Sequence, residues 1–214
     1  MGNVLYGYWR SSSAYRVRIA LAHKQVPFTS IPVDLLASAQ EKPEYKEENP
    51  AGRVPCLVLD GKRFTESVAI IELLEELYPA PPLYPNTPVG RAHVRALVET
   101  INSAIQPMQN LAVLKRVSAE PAERTAWASH FIARGLATYE ALLARYSAEG
   151  VTGPFSYGDA LGAADVYLVP QLYGARRFNV DLAPYPRILA AEAAALATPA
   201  VQAAVPEKQS DAKP

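Results

Sequence analysis

Three consecutive serines, Ser11, Ser12 and Ser13, follow Arg10 at a sharp change of pattern. The strand-like run Val4-Leu5-Tyr6-Gly7-Tyr8 there gives way to a helical one beginning at Ala14. The first N–H groups of a helix have no intrahelical acceptor, and the helix dipole adds partial positive charge, so a hydroxyl at this place can donate to an anion. Serine is equally a favoured N-cap, and on residue type alone both roles stay open. A second junction of this kind is Glu66-Ser67, where a serine hydroxyl at a helix start suits a carboxylate and Glu66 can pair with an ammonium group. Arg10 stands beside the serines and Arg176-Arg177 lies near the end of a later helix; guanidinium groups bind carboxylates bidentately. Arg176 reads as a surface salt-bridge partner, and Arg16 and Arg18 as structural residues pairing with carboxylates around the first helix. The one cysteine, Cys56, has nothing basic beside it in sequence and reads as a buried, inert thiol.

The elements that must position these residues follow from periodicity. Extended runs at 4–8, 27–34 and 54–59, a helix from Ala14 to Ala22, and an Asp60-Gly61 hairpin into Lys62-Arg63-Phe64 precede a helix opened by Ser67. That helix carries apolar residues at 70, 71, 74, 77 and 78, and 40–48 reads as a loop or weak helix. The order β-α-β-(α)-β-β-α is that of a thioredoxin-like domain, over residues 1–80. Prolines at 79, 81, 82, 85 and 88 mark a linker, 81–89, because proline continues neither helix nor ladder. Beyond it no strand pattern returns. Apolar residues from Val94 to Leu111 predict one long helix kinked at Pro107, Trp127 to Tyr146 another, and 165–173 and the alanine-rich stretch from Ile188 complete an all-helical domain over 90–205. Residues 206–214 are polar and read as a flexible tail.

Composition narrows the class. The 214 residues carry 21 basic and 21 acidic side chains, a balance that argues against a nucleic-acid partner. No apolar run is long enough to span a membrane, no secretory signal is present, and one cysteine excludes a disulfide framework or thiolate metal cluster. His23, His93 and His130 share no metal-ligand spacing, so no metal site is expected. The expectation is a cytoplasmic globular protein acting on small molecules or proteins.

An α/β thioredoxin-like half, a proline linker and an all-helical half suggest a glutathione transferase fold. The segment from Ser11 to Leu21, ending in Arg16-Val17-Arg18-Ile19-Ala20-Leu21, resembles the signature of the zeta class, whose best-known members are maleylacetoacetate isomerases. The resemblance continues through Ile105-Gln106-Pro107-Met108-Gln109-Asn110-Leu111, Leu168-Val169-Pro170-Gln171, 178–182 and 184–186. It implies glutathione as cofactor, bound by Ser11, Ser12, Ser13, Gln40, Val54, Pro55, Glu66, Ser67, Gln106 and Asn110. Asn49 to Pro55 is similar to the family segment leading to a cis-proline, which would turn the Val54 backbone toward the cysteinyl part of the cofactor. Ser11 is implied as the thiolate partner, with Ser12 and Arg10 beside it, and Arg10 and Arg177 as holders of substrate carboxylates.

Two departures stand out. Zeta enzymes carry cysteine where Ser13 stands, and tryptophan where Tyr15 stands. A serine forms no mixed disulfide, so cysteine-dependent reductive dehalogenation is not expected, while isomerisation, whose nucleophile is the cofactor's sulfur, is retained. Gly162 replaces the hydroxyl half of a capping box with Asp165. The implied reaction is conversion of maleylacetoacetate to fumarylacetoacetate by thiolate addition, rotation and elimination, in a homodimeric enzyme. Maleylpyruvate isomerisation and conjugation of small α-haloacids are the alternatives within the class. A non-catalytic binding protein on the same fold is the third, and it is disfavoured because the implied glutathione contacts are present.

Overall fold

The computed structural model describes residues 2–213 and resolves two compact units: residues 2–82 together with 198–213, and residues 83–197. The first opens with β1 (Val4–Gly7), α1 (Ser12–His23) and β2 (Thr29–Pro32). A 3-10 turn at Ala39–Glu41 and α2 (Pro43–Glu48) lead to the hairpin β3 (Cys56–Leu59) and β4 (Lys62–Thr65), then α3 (Ser67–Leu77). The sheet order is β2-β1-β3-β4, with β1 parallel to β2 and antiparallel to β3, as a thioredoxin-like domain requires.

The register decides where the loops go. Tyr6 of β1 faces Cys56 at the start of β3, and Cys56 faces Thr65 at the end of β4. The turn after β1, the residues before β3 and the junction after β4 therefore all lie at one end of the sheet. Helix α1 is buried over Ala14–Leu21, its two arginines included, and packs against α3 and α9 (Pro199–Ala204).

The last residues correct the expected flexible tail at 206–214. Pro206–Lys208 forms a 3-10 turn, the Asp211 carboxylate accepts the Trp9 N–H at 3.0 Å, and Lys213 reaches Asp34 at 3.3 Å. Residues 198–213 thus belong to the first unit rather than closing the second. Polar composition had suggested a loose end, but charged side chains and the apolar Val201 and Ala204 of α9 give it partners. The proline-rich stretch is also anchored. Lys24, in a buried pair with Glu75 at 2.5 Å, donates to the Pro81 carbonyl, while the Leu83 carbonyl accepts from Ala163 N at 2.8 Å within the second unit.

The second unit contains α4 (Pro88–Asn102), α5 (Leu111–Val117), α6 (Pro121–Ala148), α7 (Ala163–Arg177) and α8 (Pro186–Leu196). The expected long kinked helix is two helices. Helix α4 stops at Asn102, a 3-10 turn spans Gln106–Gln109, and α5 starts afresh with Asn110 as its N-cap. Proline at 107 lacks an N–H, clashes with the carbonyl four residues back and disfavours helical geometry at the residue before it, which ends the helix instead of bending it. Apolar spacing of three persists through a 3-10 turn, so periodicity alone hides the break.

Gly135 on α6 is the point of closest approach to this break. A Cβ built on it would lie 2.2 Å from Cγ1 of the buried Ile105. Gly135→Ala should therefore destabilise the protein by ~1–3 kcal/mol through overpacking, although alanine is the better helix former by about 1 kcal/mol. Urea denaturation checks this, and a stability equal to or above wild type would contradict it.

Candidate active site

The β1–α1 connection is a tight turn, closed by Ser11 N donating to the Tyr8 carbonyl at 2.9 Å. Ser11 is the N-cap of α1, and its Oγ accepts from Ala14 N at 3.2 Å. Capping and anion binding are compatible here: the hydroxyl has two lone pairs and one hydrogen, and the cap uses one lone pair. Ser12 and Ser13 are the first two residues of α1, so their N–H groups have no intrahelical acceptor. All three serines are half-buried. Arg10 is exposed, with its guanidinium carbon 4.0 Å from the centre of the buried Trp9 ring. A cation over an aromatic face is held in place, yet its charge still faces outward.

The peptide bond between Val54 and Pro55 is cis, as the resemblance implied. Asn49 builds the approach to it: its Nδ2 donates to the Arg53 carbonyl at 2.7 Å, its Oδ1 accepts from Ala51 N, and Tyr45 Oη also donates to Arg53 at 2.5 Å. Gly52 adopts φ +59°, and a Cβ there would meet the Gln40 carbonyl at 3.0 Å, so glycine lets the two loops touch. Neither the Val54 N–H nor its carbonyl has a backbone partner among the described residues, which leaves a free edge for a peptide strand.

Glu66 sits at φ +64° and ψ 119°, a geometry rare for a residue with a Cβ, immediately before α3. Its side chain is exposed, while Ser67 beneath it is buried. Arg16, fully buried in α1, donates to Ser67 Oγ at 3.3 Å. Arg18 donates to Ala204 O and Trp9 O, both at 3.1 Å. Sequence reading assigns Arg16 a structural role only, and the fold sets it against the candidate site. It brings positive charge under the α3 N-terminus, and only its place in the signature could have flagged it. Gln40 Oε1 is buried and unpartnered among the described residues, which fits a ligand donor at that position.

In the second unit Gln106 opens the 3-10 turn and Asn110 caps α5 through its Oδ1, on Ala112 N at 3.0 Å. The two therefore sit on a turn and at a helix start, not along the one long helix expected through Pro107. Their turn is held by a reciprocal amide pair, Gln109 Nε2 to Gln171 Oε1 at 2.9 Å and back at 3.2 Å, and by Trp127 Nε1 on the Met108 carbonyl. Gln171 is wholly buried. Arg177 is the exposed last residue of α7, and Arg176 forms a two-pronged pair with the buried Glu192 at 2.5 and 2.6 Å.

Cys56 lies at the start of β3, fully buried, with Sγ 3.3 Å from the Glu48 carbonyl. Burial first, and then the Glu48 charge, push its thiol up to about 11. The native protein should accordingly leave a disulfide reagent such as Ellman's unreacted, while the denatured chain yields one thiol. A native thiol count of one within the same time would contradict it.

Comparison with known proteins adds to this geometry. Residues 5–82 match the glutathione S-transferase N-terminal domain family. Over 99% of its length the chain is 45% identical to probable maleylacetoacetate isomerase 2 of Drosophila melanogaster, 91% of which is covered. Two solved structures are similar as well. The holo form of a bacterial maleyl pyruvate isomerase, described as a zeta-class glutathione S-transferase, is 40% identical with a TM-score of 0.95, over 98% of this chain and 100% of that one. Maleylacetoacetate isomerase from Anaeromyxobacter dehalogenans 2CP-1 with bound glutathione is 46% identical with a TM-score of 0.88, over 99% and 98%. The same relative has also been solved with dicarboxyethyl glutathione and citrate in its active site.

Proposed function

Because the chain belongs to the zeta class of glutathione transferases, we propose that it is a glutathione-dependent isomerase converting maleylacetoacetate to fumarylacetoacetate. The observation that carries this reading is the convergence of the Ser11 turn, the Val54-Pro55 bond and the Glu66-Ser67 junction at one end of the sheet. Each has a free hydrogen-bonding group of the kind one part of a γ-glutamyl tripeptide requires. Glutathione, when bound, supplies a thiolate able to add to an activated cis double bond and to leave after rotation.

The residues of the chain do the rest. The Ser11 hydroxyl keeps its hydrogen for the sulfur while it caps α1, and the bare N–H groups of Ser12 and Ser13 favour the anion. Val54 offers N–H and carbonyl to the cysteinyl backbone. Ser67 and the start of α3 suit the γ-glutamyl carboxylate, Glu66 its ammonium group, and Gln40 the glycyl end. Gln106 and Asn110 are further glutathione contacts on the strength of the resemblance. Arg10 and Arg177 supply guanidinium groups for a dicarboxylate substrate.

Between substrates, the apolar start of α5, Leu111-Ala112-Val113, favours maleylacetoacetate, since no arginine stands directly after Asn110 as maleylpyruvate isomerisation would lead one to expect. The same reading makes the enzyme a cytoplasmic homodimer. The test is isomerisation of maleylacetone, with and without glutathione, beside maleylpyruvate. Glutathione-dependent turnover that is faster on maleylacetone supports the reading. Turnover confined to maleylpyruvate would move the substrate, and none on either would favour a binding protein.

A further inference from the structure

The peptide unit that begins the Ser11 turn is held from outside the sheet. Trp9 and Arg10 are the two central residues of the turn closed by Ser11 N on Tyr8 O. The Trp9 N–H donates to the Asp211 carboxylate at 3.0 Å, and the Trp9 carbonyl accepts from Arg18 at 3.1 Å. Arg18 is itself buried, and its Nε donates to the Ala204 carbonyl at the end of α9. Both backbone polar groups of Trp9 are therefore fixed by side chains, one from the 205–213 segment and one tied to the helix just before it. The Trp9 ring is 4% exposed and carries the Arg10 guanidinium on its face. A rotation of this peptide unit would carry Arg10 with it and shift Ser11, the next residue.

We propose that Asp211 is a positioning residue for the Trp9–Ser11 turn, acting from the far end of the chain to hold the Ser11 hydroxyl and the Arg10 guanidinium where the reaction needs them. The proposal rests on the reading of Ser11 as the thiolate partner. Nothing in the chemistry requires Asp211 to touch the ligand. Its partner is a backbone N–H, and a charged acceptor makes that hydrogen bond stronger and more directional than a neutral one.

Sign separates positioning from direct charge. A carboxylate close to a thiolate disfavours the anion, so removing the Asp211 charge would by itself lower the pKa of bound glutathione. Loosening the turn weakens the Ser11 donor and raises it. The experiment uses the full-length protein with bound glutathione, titrated by ultraviolet thiolate absorbance, together with the pH profile of kcat/KM on maleylacetone. Asp211→Ala should raise the bound thiol pKa by about half a unit to one unit, and lower kcat/KM below that pKa by about threefold to tenfold. Asp211→Asn, which keeps an acceptor for Trp9 N–H without the charge, should stay at the wild-type value or fall slightly below it. Lys213→Ala, which removes the neighbouring pair with Asp34 but leaves the Trp9 contact, should leave the pKa unchanged.

A lowered melting temperature with an unshifted pKa in Asp211→Ala would reduce the contact to simple docking of the segment and overturn the proposal. An upward shift in Asp211→Asn equal to that in Asp211→Ala would overturn it too. Should the alanine variant fail to fold, Asp211→Ser, too short to reach Trp9, carries the same expectation. Ser11→Ala serves as the reference. If it leaves the bound thiol pKa untouched, the thiolate site itself is wrongly placed; if it shifts the pKa and Asp211→Ala does not, only the positioning role fails.

Discussion

Replacing Ser11 with alanine lowers isomerase turnover at neutral pH by roughly tenfold to a hundredfold, because a hydrogen bond to an anion contributes about 1.5–3 kcal/mol. The direction follows from the thiol equilibrium. A free thiol with a pKa near ~8.5 is mostly protonated at neutral pH, and a donor aimed at sulfur stabilises only the anion. Without the hydroxyl the bound pKa rises, so the deficit is largest at low pH and shrinks as pH passes the raised value. Some activity survives, since the Ser12 and Ser13 N–H groups and the helix dipole remain.

Ser11→Ala also removes the cap on Ala14 N, worth about 1 kcal/mol of stability, whereas glycine at an N-cap costs only a few tenths. Ser11→Gly therefore isolates the catalytic loss from the structural one. Ser13→Ala should change turnover far less, and Ser13→Cys should add thiol exchange without much gain in isomerisation. The measurement is the pH–rate profile of wild type and these variants with maleylacetone. A greater loss in Ser13→Ala than in Ser11→Ala would reassign the catalytic hydroxyl.

What the sequence disclosed and what it concealed divide along the range of the interactions. The Ser11 cap, the Asp60-Gly61 hairpin and the Ser67 helix start are local, and residue type with periodicity reveals each of them. The break after Asn102 leaves the three-residue apolar spacing intact, so periodicity predicts a kink where the chain has a helix end. The docking of 198–213 depends on Arg18 reaching a carbonyl 186 residues away and on Asp211 reaching a backbone N–H 202 residues away. Neither bond leaves a pattern, because a backbone carbonyl belongs to every residue and a backbone N–H to every residue but proline. The Gln109–Gln171 pair lay in two quoted motifs, but only folding shows that they meet.

Asp165 couples pH to stability in the second unit. It is 1% exposed, with Oδ1 accepting from Ser156 N at 2.8 Å and Oδ2 from Gly162 N at 3.0 Å. With glycine at 162 the carboxylate supplies its half of the capping box alone. The Tyr139 hydroxyl lies 3.1 Å from Ser156 Oγ and extends the buried network into α6. Asp165→Ala strands the buried Ser156 N–H and the half-buried Gly162 N–H, at about 1–3 kcal/mol for a fully buried group, so a loss of roughly 2–5 kcal/mol in urea denaturation at neutral pH is expected. Burial pushes the Asp165 carboxyl up to about 6 against the downward pull of its hydrogen bonds. Between the ordinary carboxylate range near ~4 and that value, the folded protein keeps a proton that the unfolded chain has released. Stability from this group is thus fully present below the unfolded pKa and is lost as pH rises through about 6, a change of roughly 2–3 kcal/mol. Asp165→Asn does not titrate, so the margin of wild type over this variant should be widest near pH ~4 and narrow by that amount toward pH ~7. A margin that stays flat, or widens with rising pH, would mean that the hydrogen bonds outweigh burial and that Asp165 is ionised throughout.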